Sequence, residues 1–160
     1  MAEKLKITKE NTIVANNNKA NFQYFILDKY KTGLVLTGTE VKSVRSGGKV
    51  NLGEAYCFFR KNELWIKNMH IAPYAHGSYN NHEPRRERKL LLTKRELKRL
   101  LVKIKERGLT IIPLEMYISE RGFIKLDIGL AKGKKSFDKR DTIQQRDQKR
   151  DLDRLRKHYK

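Results

Sequence analysis

Alternation of apolar and polar side chains dominates the first two thirds of the chain. Phe22–Tyr30 sets Phe22, Tyr24 and Ile26 against Gln23 in a β-rich composition and predicts a strand, and Gly33 is expected to turn the chain into Leu34–Leu36. Asn51–Arg60 and Glu63–Met69 predict a hairpin around Lys61-Asn62, with Ala55, Cys57, Phe59, Leu64 and Ile66 facing a core and Trp65 facing away. Thr110–Ser119 and Phe123–Leu130 predict two further strands joined at Glu120-Arg121-Gly122, and Pro113 implies an edge or a bulge in the first. Helical periodicity appears twice. Thr37 with Glu40 makes a capping box before Val41 and Val44, and Gly47 ends that short helix. Thr93 with Glu96 makes another, followed by the stripe Leu97, Leu100, Leu101 and Ile104 up to Gly108. Pro73–Arg88 has no periodicity and predicts a long irregular loop.

The pattern predicts a mainly β protein: an OB-like antiparallel β-barrel of about six strands with flanking short helices. It divides the chain into a flexible N-terminus over 1–12, a barrel over 13–131 and a basic C-terminal tail over 132–160. The tail's apolar residues (Phe137, Ile143, Leu152, Leu155, Tyr159) are too sparse to bury a face, while Asp147–Arg150, Asp151–Arg154 and Asp153–Lys157 fall at helical spacing, acid first. Such pairs do not offset the cost of nucleating an isolated helix. The expectation is a tail disordered when free and helical when a polyanion holds it; composition alone leaves equally open a solvated tail that only aids solubility.

Charge changes the picture most. With 37 Lys and Arg against 18 Asp and Glu the chain carries a net charge of +19, a field that attracts polyanions. Nucleic acid is the expected partner. An anionic membrane is the competitor, but no apolar run is long enough to span a bilayer and the N-terminus lacks a signal-peptide core, so a cytoplasmic location is expected. Basic residues fall at Asn16–Lys19, Lys42–Arg45, Arg85–Lys89, Lys125 and Lys132–Lys135, with Tyr24, Tyr74 or Tyr79 available to stack on unpaired bases. Neither helix-turn-helix nor zinc-finger spacing is present, and fold analogy favours RNA over DNA.

Catalytic chemistry is not assembled in the sequence. His70, His76, His82 and His158 lack partners at zinc-ligand spacing, so no metal or other cofactor is expected. Gly129–Ser136 imitates a phosphate loop, but it has three residues where four are needed and Lys135 where the hydroxyl belongs. Ser43 and Ser78 lack a nucleophile elbow, and Cys57, alone in a strand pattern, is expected to be a buried thiol. The chain is expected not to be an enzyme.

Four blocks then coincide: Gly38–Gly47 (GTEVKSVRSG) with Asn51, Asn68–Tyr74 (NMHIAPY), Pro84–Leu92 (PRRERKLLL) and Leu130–Arg140 (LAKGKKSFDKR). In this order and spacing they resemble the signature blocks of the SmpB family, the SsrA-binding (tmRNA-binding) proteins of bacterial trans-translation. The resemblance implies an OB-like barrel that binds the tRNA-like domain of tmRNA and escorts alanyl-tmRNA, with elongation factor Tu, into stalled ribosomes. It implies a monomer whose body replaces the missing anticodon arm. The tail would occupy the empty mRNA channel at the small-subunit decoding centre and become helical there.

Carried onto this chain, the resemblance implies a tmRNA face of Asn17, Lys19, Glu40, Lys42, Ser43, Arg45, Asn68, His70, Arg86, Lys89, Leu91, Lys125, Lys132 and Lys134, with Leu91 either a contact or a packing residue beneath the face. The implied ribosome-facing set is Gly133, Lys135, Phe137, Asp138, Lys139, Arg140, Lys149, Arg150, Arg154, Arg156 and Lys157. Relatives carry His or an aromatic before Asp-Lys-Arg; Phe137 excludes an imidazole role here and favours stacking on a base. Asn16-Asn17-Asn18 is richer in amides than the basic version common in relatives, which implies weaker phosphate contact there. The alternative is a general or ribosomal RNA-binding barrel without tmRNA preference, whose affinity would follow salt alone.

Overall fold

The computed structural model describes residues 11–106 and 108–159. The expected loose N-terminus therefore lies, up to residue 10, outside the described residues. In chain order the elements are β1 (Thr12–Asn16), α1 (Ala20–Gln23), β2 (Tyr24–Leu34), α2 (Gly38–Arg45), β3 (Val50–Asn51), β4 (Tyr56–Arg60), β5 (Glu63–Lys67), β6 (His70–Ile71), β7 (Arg88–Leu91), α3 (Lys94–Ile104), β8 (Leu109–Ile118), β9 (Ile124–Gly133) and α4 (Ser136–His158).

Strands β8-β4-β5-β7-β2-β9 form a ring, because β9 pairs back onto β8 along nearly its whole length. β1 adds to the outside edge of β8, and β3 pairs separately with β6. All pairings are antiparallel. Closing the ring removes the exposed edges that an open sheet would leave. Inward-facing Cys57, Leu64, Ile66, Leu90, Ile111, Met116, Leu126, Ile128 and Leu130 fill the interior, and Val44 of α2 and Leu100 of α3 cap it. Each buried aliphatic side chain contributes about 1.5–3 kcal/mol relative to exposure.

The hairpin turns at Lys61 and Asn62, whose φ values of 49° and 61° are those of a two-residue type I′ turn. Pro113 pairs with Ile128 of β9 and falls, on its other side, in the gap between the pairings of β4 at Ile111 and of β1 from Glu115; the register with β9 slips between Pro113 and Glu115, which is the bulge that lets it fit. Both capping boxes form. Gly47 takes φ 83° just past α2, a conformation that favours glycine.

Three expectations are revised. Ala20–Gln23 is a helical turn before β2, because Ala20 is buried against Ile112 and Ala131. Gly33 continues β2, where it faces both Leu91 of β7 and Lys125 of β9 instead of turning. β9 runs to Gly133, so Lys132 and Gly133 belong to the barrel and not to the tail; they pair with Phe25 and Tyr24. The tail is described as one helix from Ser136 to His158 with no buried residue.

Candidate nucleic-acid interface

Glu40 is fully buried although the sequence places it on the RNA face. It sits in the first turn of α2, where its Oε1 accepts from Arg86 Nε at 2.9 Å and Nη2 at 2.5 Å, and its Oε2 accepts from Arg88 Nε. Arg88, also fully buried, donates from Nη1 to the Met69 and Arg86 carbonyls and from Nη2 to that of Pro84. One guanidinium thus ties α2 to the turn before β6 and to the segment leading into β7. Burial pushes the Glu40 carboxyl up, but the hydrogen bonds and charges of Arg88 and Arg86 outweigh it and hold the group below its usual range. Burial lowers the Arg88 pKa more than Glu40 raises it; an arginine so paired stays protonated at neutral pH.

The sequence reading missed Arg88 as a framework residue. Its signal was the spacing Arg88, Leu90: two inward positions of one strand, the first of which needs a buried acid. Ser43 is likewise buried, donating to the Ala72 carbonyl at 2.5 Å. Glu40 and Ser43 therefore hold the face from beneath instead of presenting atoms on it.

Other residues of the set have partners within the chain. Arg45 donates to the Gly122 carbonyl at 2.8 Å, which ties α2 to the turn before β9. Asn17 donates from Nδ2 to the Pro113 carbonyl at 2.9 Å, pinning the asparagine loop to the bulge. Lys89 pairs with Glu63 at 2.8 Å. Lys134 donates to the Asn21 carbonyl and Thr142 Oγ1 and lies 5.0 Å over the Phe25 ring. Asn68 turns the chain with φ 63°, His70 pairs with Asn51, and Leu91 points out of the barrel beside Gly33.

By contrast, Lys19, Lys42, Lys125 and Lys132 form no ion pair among the described residues. The outer side of β4, β5 and β7 is charge-compensated: Arg60 pairs with Glu87 at 2.7 Å and Lys89 with Glu63. Within the implied tmRNA face, these four unpaired lysines fall at two places. One is α2, joined through Arg45 and Gly122 to the start of β9 with Lys125. The other is the asparagine loop beside the end of β9, with Lys19 and Lys132. They lie at opposite ends of β9, roughly 23 Å apart at about 3.3 Å per residue. A cleft of about 200 Å³ lined by Asn16–Lys19, Asn51, Gly53 and Glu54 lies at the second, and its Asn51 pairs with His70 of β6. A surface of that extent suits a folded polyanion that touches several phosphates at once.

α4 leaves the barrel at the second cluster. Its first turn is capped by Asp138, whose Oδ2 accepts from the Lys135 amide at 3.1 Å, so this member of the expected ribosome-facing set also starts the helix. Arg146 lies 5.5 Å over the Phe22 ring of α1. Beyond it the helix has only itself: Asp147–Arg150 and Asp151–Arg154 pair at 3.9 and 3.7 Å. Gly133, Lys135, Phe137 and Arg140 are exposed and Lys139 half-buried, while Lys149, Arg150, Arg154, Arg156 and Lys157 all project into solvent.

Among the described residues no group of three or more His, Cys, Asp or Glu side chains is placed to hold a metal ion. Cys57 is buried, which pushes its thiol far up from its usual range and leaves no thiolate to attack. His82 bridges Thr39 Oγ1 and the Ile71 carbonyl, both at 3.0 Å.

A family model described as "SmpB protein" matches residues 14–158. The SsrA-binding protein of Flavobacterium psychrophilum is 54% identical over 148 residues, 92% of this chain and 98% of that one. Its counterpart in Christiangramia forsetii is 51% identical over 151 residues, 94% and 96% of the two chains. A chain from the solved structure "tmRNA-SmpB: a journey to the center of the bacterial ribosome" superposes with a TM-score of 0.64 at 50% identity, covering 76% of this chain and 85% of that one. The barrel, the order of the four sequence blocks and these matches agree: the chain belongs to the SmpB family.

Proposed function

We propose that this chain is an RNA-binding protein of trans-translation: it binds the tRNA-like domain of tmRNA and brings it to stalled ribosomes. The observation that carries the reading is the match of both sequence and barrel, at about half identity over most of the chain, to SsrA-binding proteins and to a chain solved with tmRNA. The protein is not an enzyme; the family is defined by RNA binding. Lys19, Lys42, Lys125 and Lys132 supply the phosphate-facing charge, while Glu40, Ser43 and Arg88 keep α2 in place beneath it. The barrel through Gly133 forms the reader of the tRNA-like domain, and the segment from Lys134 forms the arm that enters the vacant mRNA path. No helix among the described residues is long and apolar enough to cross a membrane, and a ribosome-directed role places the chain in the cytoplasm. Delivery as alanyl-tmRNA with elongation factor Tu completes the reading.

Competition binding tests it. Purified protein and a labelled tRNA-like domain are titrated against excess bulk tRNA across a salt series. Retained binding at salt concentrations that remove bulk tRNA is the expected result. Equal affinity for both RNAs, fading together as counterion release predicts, would leave a generic basic RNA binder.

A further inference from the structure

The segment between β6 and β7 is an irregular loop, as expected, and it is internally hydrogen-bonded. Asn81 closes it: its Nδ2 donates to the Tyr74 carbonyl at 2.9 Å, and its Oδ1 accepts from the amides of Tyr74 and His82. The Gly77 amide donates to the Tyr74 carbonyl at 2.9 Å, and a Cβ at Gly77 would lie 2.5 Å from Asn81 Nδ2, so only glycine fits the turn. His82 pins the far side to Thr39 of α2 and to the Ile71 carbonyl. Ser43 holds the near side through the Ala72 carbonyl.

This scaffold carries an aromatic tip. Tyr79 is 95% exposed and packs on nothing. At the start of the loop Tyr74 meets His76 edge-on at 5.6 Å, and Lys42 of α2 lies 5.9 Å from the Tyr74 ring. A phenol exposed to water on a loop with a hydrogen-bonded base, where an uncompensated lysine lies against Tyr74, has the features of a stacking platform for an unpaired nucleobase. The Asn81 bonds meet the ordering cost of the loop backbone in the free protein, which favours affinity.

We propose that the Tyr74–His82 loop is a further RNA contact, with Tyr79 stacking on an unstacked base of the RNA whose phosphates face Lys42. The proposal rests on the reading that this chain binds the tRNA-like domain. Stacking differs from the lysine contacts in one measurable respect: it releases no counterions. Tyr79→Ala should weaken binding of full-length protein to the tRNA-like domain by about 5- to 30-fold with an unchanged salt slope. Lys42→Ala, in contrast, should reduce the slope by about one. Tyr79→Phe should restore affinity, since the ring and not the hydroxyl is used. Tyr79→Trp should show emission quenched on RNA addition, beyond any change of Trp65 in the parent chain. Circular dichroism of each variant should match the parent, because the side chain packs on nothing. Parental affinity of Tyr79→Ala at every salt concentration, with unquenched Tyr79→Trp, would overturn the loop assignment alone. A parent protein that does not prefer the tRNA-like domain would overturn the functional reading and the loop assignment with it.

Discussion

α2 and α4 are both rich in charge, yet the two helices use it in opposite ways. In α2 the acid is buried and shared by two arginines, one of them also fully buried, so a fixed network holds the helix while Lys42 on its outer side keeps its charge unpaired among the described residues. In α4 acids and bases alternate on a helix without a buried residue, and its ion pairs are long and exposed. Buried pairs cannot be broken without leaving an uncompensated charge, whereas exposed pairs exchange readily with water, salt or phosphate. The first arrangement suits a surface that must keep its shape to read a folded RNA. The second suits an arm that re-forms its contacts wherever it is placed.

The largest effect should come from breaking the buried network. Arg88→Met leaves the Glu40 carboxylate without its main partner and should destabilise the barrel by about 3–5 kcal/mol, read from denaturant unfolding. Adding Glu40→Leu to it should recover part of that loss; a double variant worse than the single would contradict the pairing. The same network sets an acid limit. Glu40 titrates below its unfolded value of 4.5, so its stabilisation is complete above that pH and is lost as pH falls through the lower folded value. Melting temperatures recorded downward from pH 5 should fall more steeply in the parent than in Glu40→Gln.

Ending the chain after Gly133 should matter far less to folding. With no buried residue in α4, the barrel should lose under about 1 kcal/mol by the same assay, while helical ellipticity drops. A smaller effect still is expected at the seam between the two regions. Arg146→Ala removes the cation over Phe22 and should cost about 0.5 kcal/mol, seen as faster hydrogen exchange in the first turns of α4 and unchanged exchange in β9. At the exposed pair of Asp28 and Lys103 only a titration should move. The hydrogen bond from Lys103 holds Asp28 below its usual 3.8, and Lys103→Ala should let it rise toward that value in a carboxyl NMR titration.

Much of the barrel was legible because its signals are local. Capping boxes at Thr37 and Thr93, the Lys61-Asn62 turn and the bulge at Pro113 each depend on residues close in sequence. What was not legible depends on distant partners. Nothing near Arg88 says that Glu40, forty-eight positions earlier, will meet it in the core, so its charge read as surface charge. Gly33 looked like a turn because the strands it pairs with on both sides, Leu91 and Lys125, lie far along the chain. β9 outran its apolar run because Lys132 and Gly133 are carried by pairing with Phe25 and Tyr24, not by burial. Within the candidate face, the uncompensated lysines were found by charge alone. The supporting roles of Glu40, Ser43 and Arg45 needed the fold.

The central claim is that the barrel reads the RNA and the exposed helix serves the ribosome. Full-length protein and a version ending at Gly133 should be compared in two assays: affinity for the tRNA-like domain, and tmRNA-dependent tagging of peptides on ribosomes stalled without a codon. Equal affinity with tagging lost in the shortened chain is the predicted result. Affinity that collapses together with tagging would contradict the division and place the RNA contact on α4.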